Sequence, residues 1–416
     1  MKQNYFMGLI ACAALTMTGC SNDEINAPQQ SQGNNAIEFS TYLGRNAQGS
    51  RGTETNDASI KSENGGFGVL AYYTEQKNFA DANNNKPNFM WNQKVTYNGT
   101  NWEYTPVKYW PTKVGDKVSF FAYAPYVEGG DANGIVLSKN NATGAPTATI
   151  TLPDDASKTI DFVAAVQMNK TYNDSAKANN NVSFTLLHEM TRVKVQAKLD
   201  KSVYDTSSDP KHKTFVVIKN VTFNNKGQFY KSGTYTFSTD DKKRGTWTTT
   251  NNATANASTY TLDLNGVLNT KTITAATATD AAATGASANS NYKTGVKGLK
   301  LVDTTAKDLF KNSEYLFLIP VSANNGDGLT DGKATATIEY DIVTEDSNLV
   351  KGYSCTSATK TVLLPAGTLK QGISYNYIFT IKLDEIVLNA TVNDWDAASN
   401  SNIDVPYTPD DATKQN

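Results

Sequence analysis

Cysteine and histidine are nearly absent from this 416-residue chain, which has three cysteines and two histidines. Cys12 and Cys20 lie close to the start, so Cys355 is the only cysteine in the rest of the chain and no disulfide framework can form there. A lone cysteine is most often a small packed side chain. His188 and His212 lack the second histidine, four positions on, that a zinc-binding helix requires. The sequence therefore gives no metal site, and the fold must be stabilised by core burial.

The chain also lacks an excess of charge and a long hydrophobic run. Its 38 Lys and Arg balance 40 Asp and Glu, and no basic cluster typical of nucleic-acid binding is present. The apolar stretch Phe6–Met17 is about a dozen residues, against the ~20 that a membrane-spanning helix needs. It is typical of an export signal that is removed. No nucleophile has an identifiable base beside it, so we predict neither an enzyme nor a cofactor.

Small residues and a cysteine follow the apolar stretch. The segment Leu15-Thr16-Met17-Thr18-Gly19-Cys20, followed by Ser21-Asn22-Asp23-Glu24, resembles the lipobox of bacterial lipoproteins. The resemblance implies that Cys20 becomes the lipidated first residue of the mature chain. Stable anchoring takes more than one acyl chain, and a diacylglycerol with an amide-linked acyl group provides this. The alternative is an ordinary cleaved signal in which Cys20 has no role.

Short alternating segments make up most of the remaining sequence, which is rich in Thr, Asn, Ala and Tyr. Thr and Tyr favour strands, whereas Asn and Gly favour turns. No amphipathic helix of ten residues stands out, and the phase of the alternation changes between Met190 and Val193, which predicts a bulge or bend. We predict an all-β fold of two tandem β-sandwich domains with mainly antiparallel strands.

The length exceeds what a single hydrophobic core usually organises, so the chain is divided into domains. We predict a signal peptide over 1–19, a lipidated propeptide-like segment with the first strand over 20–51, and an N-terminal sandwich over 52–180. The C-terminal sandwich covers 181–416 and carries a Thr/Ala/Asn-rich insertion near 246–297.

The first strand is connected to the rest of the chain in an unusual way. In Ala36–Leu43, alternation puts Ile37, Phe39 and Thr41 on one face. A long polar loop, Gly44–Gly66, follows and contains Arg45 and Arg51. The first strand is therefore joined to the rest of the chain by a flexible link of cleavable appearance, which a simple sandwich does not need.

The chain resembles the fimbrillin family, the subunits of type V pili on Gram-negative outer membranes. The resemblance is carried by the lipobox, the Ile37-Glu38-Phe39-Ser40-Thr41 strand before an Arg-containing loop, and a series of short motifs in the family's order. These motifs are Gly66-Phe67-Gly68-Val69, Trp102-Glu103-Tyr104, Tyr109-Trp110-Pro111, Val118-Ser119-Phe120-Phe121-Ala122-Tyr123-Ala124-Pro125, Leu187-His188-Glu189-Met190-Thr191-Arg192-Val193 and Val392-Asn393-Asp394-Trp395.

The resemblance implies a mechanism. Fimbrillins are exported as lipidated precursors, and in shaft subunits an Arg-directed protease cuts the loop after the first strand. That strand leaves a groove, which a neighbour's strand fills by strand addition. On this basis Cys20 bears the lipid, and Ile37, Phe39 and Thr41 face inward from the displaced strand. Arg51 is the preferred cleavage site and Arg45 the alternative.

Two C-terminal regions are candidates for the donated strand. One is Ser374–Leu383, the best alternation in the chain, and the other is Glu385–Val392 together with Ile403–Tyr407. Ordinary sandwich strands are the alternative for both. The inward face of the first candidate consists of Tyr375, Tyr377, Phe379, Ile381 and Leu383.

The resemblance also implies the partners and the location. Other pilus subunits, in a homopolymer or a hetero-assembly, are expected, as is the outer membrane through the lipid. Surface receptors or glycans of host or bacterial cells are further candidates, and nucleic acid is not. Two other functions stay open: a non-polymerising glycan-binding lipoprotein that uses Trp91, Trp102 and Trp110 as a stacking platform, and an anchor or tip subunit of such a pilus. Buried packing at the sandwich edges is the commoner use of such tryptophans.

Overall fold

Strands dominate the part of the chain that the structure describes, and helix is almost absent from it. The helical elements there are one α-helix, α1 (Asp57–Ile60), and the 3-10 turns Phe79–Asp81 and Glu128–Gly130. None of the helices among these residues is long and apolar enough to cross a membrane. The predicted all-β fold is confirmed. The computed structural model describes residues 35–43, 54–62, 65–153, 158–173, 180–201, 203, 212–225, 229–249, 260–261, 298–301, 303–309, 315–321, 332, 334–346, 349, 353–382, 386–394 and 403–406.

The longest strands, β12, β19 and β20, lie in the second part of the chain. The strands before residue 190 are β1 (Glu38–Leu43), β2 (Phe67–Tyr73), β3 (Met90–Tyr97), β4 (Trp102–Glu103), β5 (Val118–Ala124), β6 (Asp131–Ala132), β7 (Ile135–Leu137), β8 (Thr147–Thr151), β9 (Val163–Lys170) and β10 (Asn181–His188). Those after it are β11 (Thr191–Leu199), β12 (His212–Asn225), β13 (Ser232–Thr236), β14 (Thr246–Thr248), β15 (Tyr260–Thr261), β16 (Leu299–Leu301), β17 (Lys307–Asp308), β18 (Leu316–Leu318), β19 (Ala334–Asp346), β20 (Tyr353–Leu363), β21 (Ile373–Ile381), β22 (Ile386–Asp394) and β23 (Ile403–Pro406).

The first sandwich consists of a seven-stranded sheet, β1-β10-β9-β5-β2-β3-β4, and a five-stranded sheet, β14-β13-β8-β7-β6. Aromatic rings join the two sheets: the ring centroids of Phe121 and Phe237 are 5.9 Å apart, and those of Phe162 and Tyr235 are 5.4 Å apart. The larger sheet is buried on its other face as well, where a second apolar cluster contains Phe120 and the side chains of β1. This explains why every residue of β5 is buried, Ser119 included, instead of alternate ones.

The second sandwich consists of two sheets. One has the order β17-β11-β21-β22-β23, and β18 also pairs with β11. The other has the order β15-β12-β19-β20, and β16 also pairs with β12. The rings of Phe223 and Tyr377 lie 6.4 Å apart between the two layers. Among the strand pairs that the structure describes, β1–β10 and β11–β21 are parallel and the others are antiparallel.

The chain passes between the two sandwiches over Glu189 and Met190, because β10 ends at His188 and β11 begins at Thr191. This is the bend that the phase change predicts. Strand pairing does not follow the division drawn at residue 180. β10 pairs with β1 and β9, and β13 pairs with both β8 and β14, so strands assigned by composition to the C-terminal sandwich lie in the first one. Local composition marks turns, whereas the choice of partner strand depends on long-range burial.

Candidate functional site

β1 fills a slot between two parts of the first sandwich. On one side it pairs in parallel with β10, from Glu38 opposite Asn181 to Leu43 opposite Leu186. On the other side the residues before β1 bond to the segment 108–110: the Ile37 amide donates to the Lys108 carbonyl at 2.9 Å. The Trp110 amide donates to the Asn35 carbonyl at 2.8 Å. We call the space between β10 and residues 108–110 the β1 slot.

The inward face of β1 matches the predicted one in part. Ile37 and Phe39 are buried, Thr41 is half-buried, and Leu43 is buried as well. Leu43 continues the same alternation by one step, which the sequence pattern could have signalled. The Oγ1 of Thr41 is covered, yet it has no hydrogen-bond partner among the described residues.

Phe39 lies in an aromatic cage. Its ring centroid is 5–6.5 Å from each of four other rings, the range in which edge and offset aromatic contacts are favourable. The distances are 6.4 Å to Phe67, 5.2 Å to Tyr104, 5.9 Å to Phe120 and 5.8 Å to Phe184. Phe184 lies on the adjacent strand β10, Phe67 and Phe120 lie on β2 and β5 of the same sheet, and Tyr104 lies on the loop after β4. We call these four residues the Phe39 cage.

Hydrogen bonds from buried polar groups hold the loop side of the slot. The Tyr104 hydroxyl donates to the Ile37 carbonyl at 2.8 Å, and burial raises the pKa of Tyr104 to about 12. The Trp110 indole donates to the Asn180 carbonyl at 3.1 Å, which ties the 108–110 segment to the start of β10. Sequence reasoning did not find Tyr104 as a slot residue, because its contact is with a backbone carbonyl 67 positions away.

The chain resumes after the predicted cleavage loop with an anchored segment. Glu54 forms an ion pair with Arg192 at the start of β11, and both side chains are largely buried. The Thr55 amide donates to Asp161 Oδ2 at 2.9 Å, and its hydroxyl donates to the Asp161 carbonyl at 2.6 Å. Asp161 Oδ2 is also 2.9 Å from His188 Nδ1. Burial raises the pKa of Asp161, and the adjacent His188 opposes that shift.

Several predicted site residues lie outside the described residues. They are Cys20, Arg45, Arg51 and Leu383. The other four members of the first donor candidate, Tyr375, Tyr377, Phe379 and Ile381, are buried on β21. β21 is an interior strand, paired with β11 on one side and β22 on the other.

The three tryptophans of the stacking hypothesis do not form a platform. Trp110 is buried, and Trp102 packs against Phe67 in the cluster that contains the Phe39 cage. Trp91 packs against the other apolar cluster and donates its indole N–H to the Ser138 carbonyl at 3.0 Å. His188 ends β10 as a hydrogen-bonded residue, and no group of metal-ligating side chains occurs among the described residues.

The fold and the slot define a class of protein: two β-sandwiches in series whose first strand is inserted between two other segments. A family model described as fimbrillin-like matches residues 53–339, and the chain belongs to this fimbrillin-like family. The chain is similar to the fimbrium subunit Fim1C of Phocaeicola vulgatus, with 31% identity over 95% of this chain and 98% of that protein. It is also similar to a fimbrial protein from Bacteroides vulgatus of known crystal structure, with 26% identity and a TM-score of 0.69 over 86% of this chain and 99% of that one.

Proposed function

We propose that this chain is a structural subunit of a cell-surface pilus with a role in adhesion, and that it joins its neighbours by exchange of the strand in the β1 slot. The relatives named above are fimbrial proteins, which supports a structural rather than a catalytic role. The observation that carries the exchange is the slot itself. β1 pairs with β10 on one side, and the residues just before it bond to residues 108–110 on the other, so these main-chain hydrogen bonds are ones that another extended strand can make.

Burial explains why the strand is replaced rather than simply lost. Ile37, Phe39 and Leu43 are each at most 5% exposed. Burying one such side chain contributes about 1.5–3 kcal/mol, so an empty slot is costly. It also leaves the edge of β10 unpaired, which favours pairing with another chain. The precursor form, with β1 in the slot, is therefore protected from premature assembly.

The precursor is proposed to be lipid-anchored in the outer membrane at Cys20 and cut at Arg51, with Arg45 as the alternative. Either arginine lies between Leu43, the last residue of β1, and Glu54, which is held by Arg192. A cut in this interval breaks the covalent link between β1 and the body of the protein, and it falls outside the segment 54–62 that the described contacts hold.

Mass spectrometry of assembled and surface-released protein tests the cut. A chain beginning at Gly52 is expected for cleavage at Arg51, and one beginning at Asn46 for cleavage at Arg45. Arg51→Lys keeps the charge but is not a substrate for an Arg-directed protease, so it separates loss of cleavage from loss of charge. Assembled material that retains an intact N-terminus at Cys20 rejects the shaft role.

The donated strand is proposed to come from the C-terminal region. β21 would lose two long partners on leaving its sheet, because it pairs with β11 from Ser374 to Ile381 and with β22 along its whole length. β23 pairs only with β22, opposite Asn389–Val392, among the strands that the structure describes. Of the two candidates we favour β22 with β23, because this pair lies at the end of its sheet and gives up one ladder, to β21, whereas β21 gives up two.

Two deletions test the donor. Removal of Glu385–Asn416 is expected to block polymerisation while the first sandwich stays folded. Because β22 also contributes buried Leu388 to the core, a shorter deletion of residues 403–416 removes only the β23 part of the donor and is expected to impair polymerisation without that loss of core. Filaments of normal length after the longer deletion reject a C-terminal donor.

A further inference from the structure

A ladder such as β1–β10 does not by itself fix its register. Side chains alternate with a period of two, so a slip by two residues keeps the same face inward and re-forms the main-chain bonds. The observed pairing, with Phe39 opposite Val182 and Thr41 opposite Phe184, must therefore be chosen by side chains.

The Phe39 cage makes that choice possible. The inward neighbours of Phe39 are Ile37 and Thr41, and neither carries a ring. A slip by two residues in either direction would put one of them in the cage and move Phe39 out of it. Four aromatic contacts would be lost at once, and a large ring would enter a position that a smaller side chain now fills.

Tyr104 adds a second marker of the same register. Its ring belongs to the cage, and its hydroxyl donates to the carbonyl of Ile37, two residues before Phe39. Tyr104 therefore makes its hydrogen bond and its ring contact together only when a bulky side chain lies two residues after the carbonyl that accepts from its hydroxyl.

We propose that the Phe39 cage and the Tyr104 hydroxyl set the register of any strand in the β1 slot, and so select its partner. The partner is an extended segment with an aromatic side chain at one inward position and smaller side chains two residues to either side. The register of β1 is a property of the intact chain and does not depend on strand exchange. The selection of an incoming strand rests on the proposed function, in which another strand replaces β1.

Exchanging Phe39 with Thr41 tests the register in the intact chain. The variant Phe39→Thr/Thr41→Phe keeps composition and alternation and moves only the ring. The matched control exchanges the outward residues, Ser40→Tyr/Tyr42→Ser. Register is measured by oxidative cross-linking of cysteine pairs after Cys12, Cys20 and Cys355 are replaced by serine. The pair Ser40→Cys/Ser183→Cys reports the native register, and Tyr42→Cys/Ser183→Cys reports a slip by two.

In the exchanged variant we expect the slipped cross-link, or loss of β1 from the slot with about tenfold faster hydrogen exchange of the β10 amides. The outward control is expected to keep native hydrogen-exchange rates. With a cysteine at position 40 and Ser183→Cys, it is also expected to form the native cross-link. Native register with native exchange in the Phe39→Thr/Thr41→Phe chain overturns the proposal.

If that chain fails to fold, Phe39→Leu serves instead, and it is expected to give both cross-links. A native-only pattern in Phe39→Leu overturns the proposal.

Peptides test the incoming strand. The full chain is cut with an Arg-specific protease and mixed with a peptide of residues 35–43, or with the same peptide in which Phe39 and Thr41 are exchanged. The native peptide is expected to bind about tenfold more tightly. Equal binding of the two peptides overturns the selection. Failure of both to bind counts against strand exchange, and the cross-links in the intact chain then decide the register separately.

Discussion

Glu54 and Arg192 form a largely buried ion pair that joins the segment after the predicted cleavage loop to the first strand of the second sandwich. Arg192 Nε also donates to Ser374 Oγ at 3.0 Å, and its guanidinium lies 4.5 Å from the ring centroid of Tyr315. One residue on, Thr55 bonds to Asp161 beside the first sandwich. The segment is thus fixed to both sandwiches by contacts in which β1 takes no part.

Replacing Glu54 by glutamine is expected to destabilise the protein. Breaking a buried ion pair leaves a charge without a counter-ion and costs about 3–5 kcal/mol. The glutamine side-chain oxygen can still accept a hydrogen bond from Arg192 and recovers part of this cost. We therefore expect the free energy of unfolding to fall by about 2 kcal/mol. Chemical denaturation at neutral pH measures it. Lys243→Gln is the control, since its ion pair with Asp240 is exposed and should contribute little. Equal stability of the two variants contradicts the role assigned to Glu54.

Asp161 is expected to make stability depend on pH. Burial raises the pKa of its carboxyl in the folded state, so the folded protein holds this proton more tightly than the unfolded chain does. Its contribution is fully present below the unfolded pKa of about 4 and is lost as pH rises through the folded value.

The comparison of wild type with Asp161→Asn from pH 3 to pH 7 checks this sign. The unfolding free energy of wild type relative to the variant should fall as pH rises, whereas the exposed carboxylate variant Asp131→Asn should follow wild type. A relative stability that rises with pH would show that the His188 contact outweighs burial.

Thr41→Val is expected to hold β1 more tightly. The substitution keeps the shape of the side chain and removes a covered hydroxyl that has no partner among the described residues. An unsatisfied buried polar group costs about 1–3 kcal/mol, so a gain of about 1 kcal/mol is expected. Slower hydrogen exchange at the β10 amides measures it. Thr41→Ser, which keeps the hydroxyl and loses the methyl group, should exchange faster than wild type.

Tyr104→Phe is expected to loosen β1 because it removes the hydrogen bond to the Ile37 carbonyl. The loss of about 1 kcal/mol corresponds to roughly fivefold faster exchange of the β10 amides. Tyr109→Phe is the matched control, since Tyr109 is half-exposed beside the same segment. Identical exchange in the two variants would remove Tyr104 from the account of the slot.

Prediction from sequence succeeded where the signal is local. Alternation in Ala36–Leu43 gave the buried side of β1, and the phase change after Met190 gave the bend at which the chain changes sandwich. It did not reach features that depend on distant residues. Trp91 packs against one apolar cluster whereas Trp102 and Trp110 belong to the other, and Tyr104 became a slot residue only through a carbonyl far away in sequence.

The sequence by itself determined that this is an all-β protein of the fimbrillin-like family, since side-chain periodicity and short motifs are properties of neighbouring residues. Only the tertiary structure decided that β1 runs parallel to β10, that β10, β13 and β14 join the first sandwich, and that Glu54 is anchored by Arg192. Those choices depend on which distant surfaces are buried against each other, and alternation within a strand carries no information about its partner.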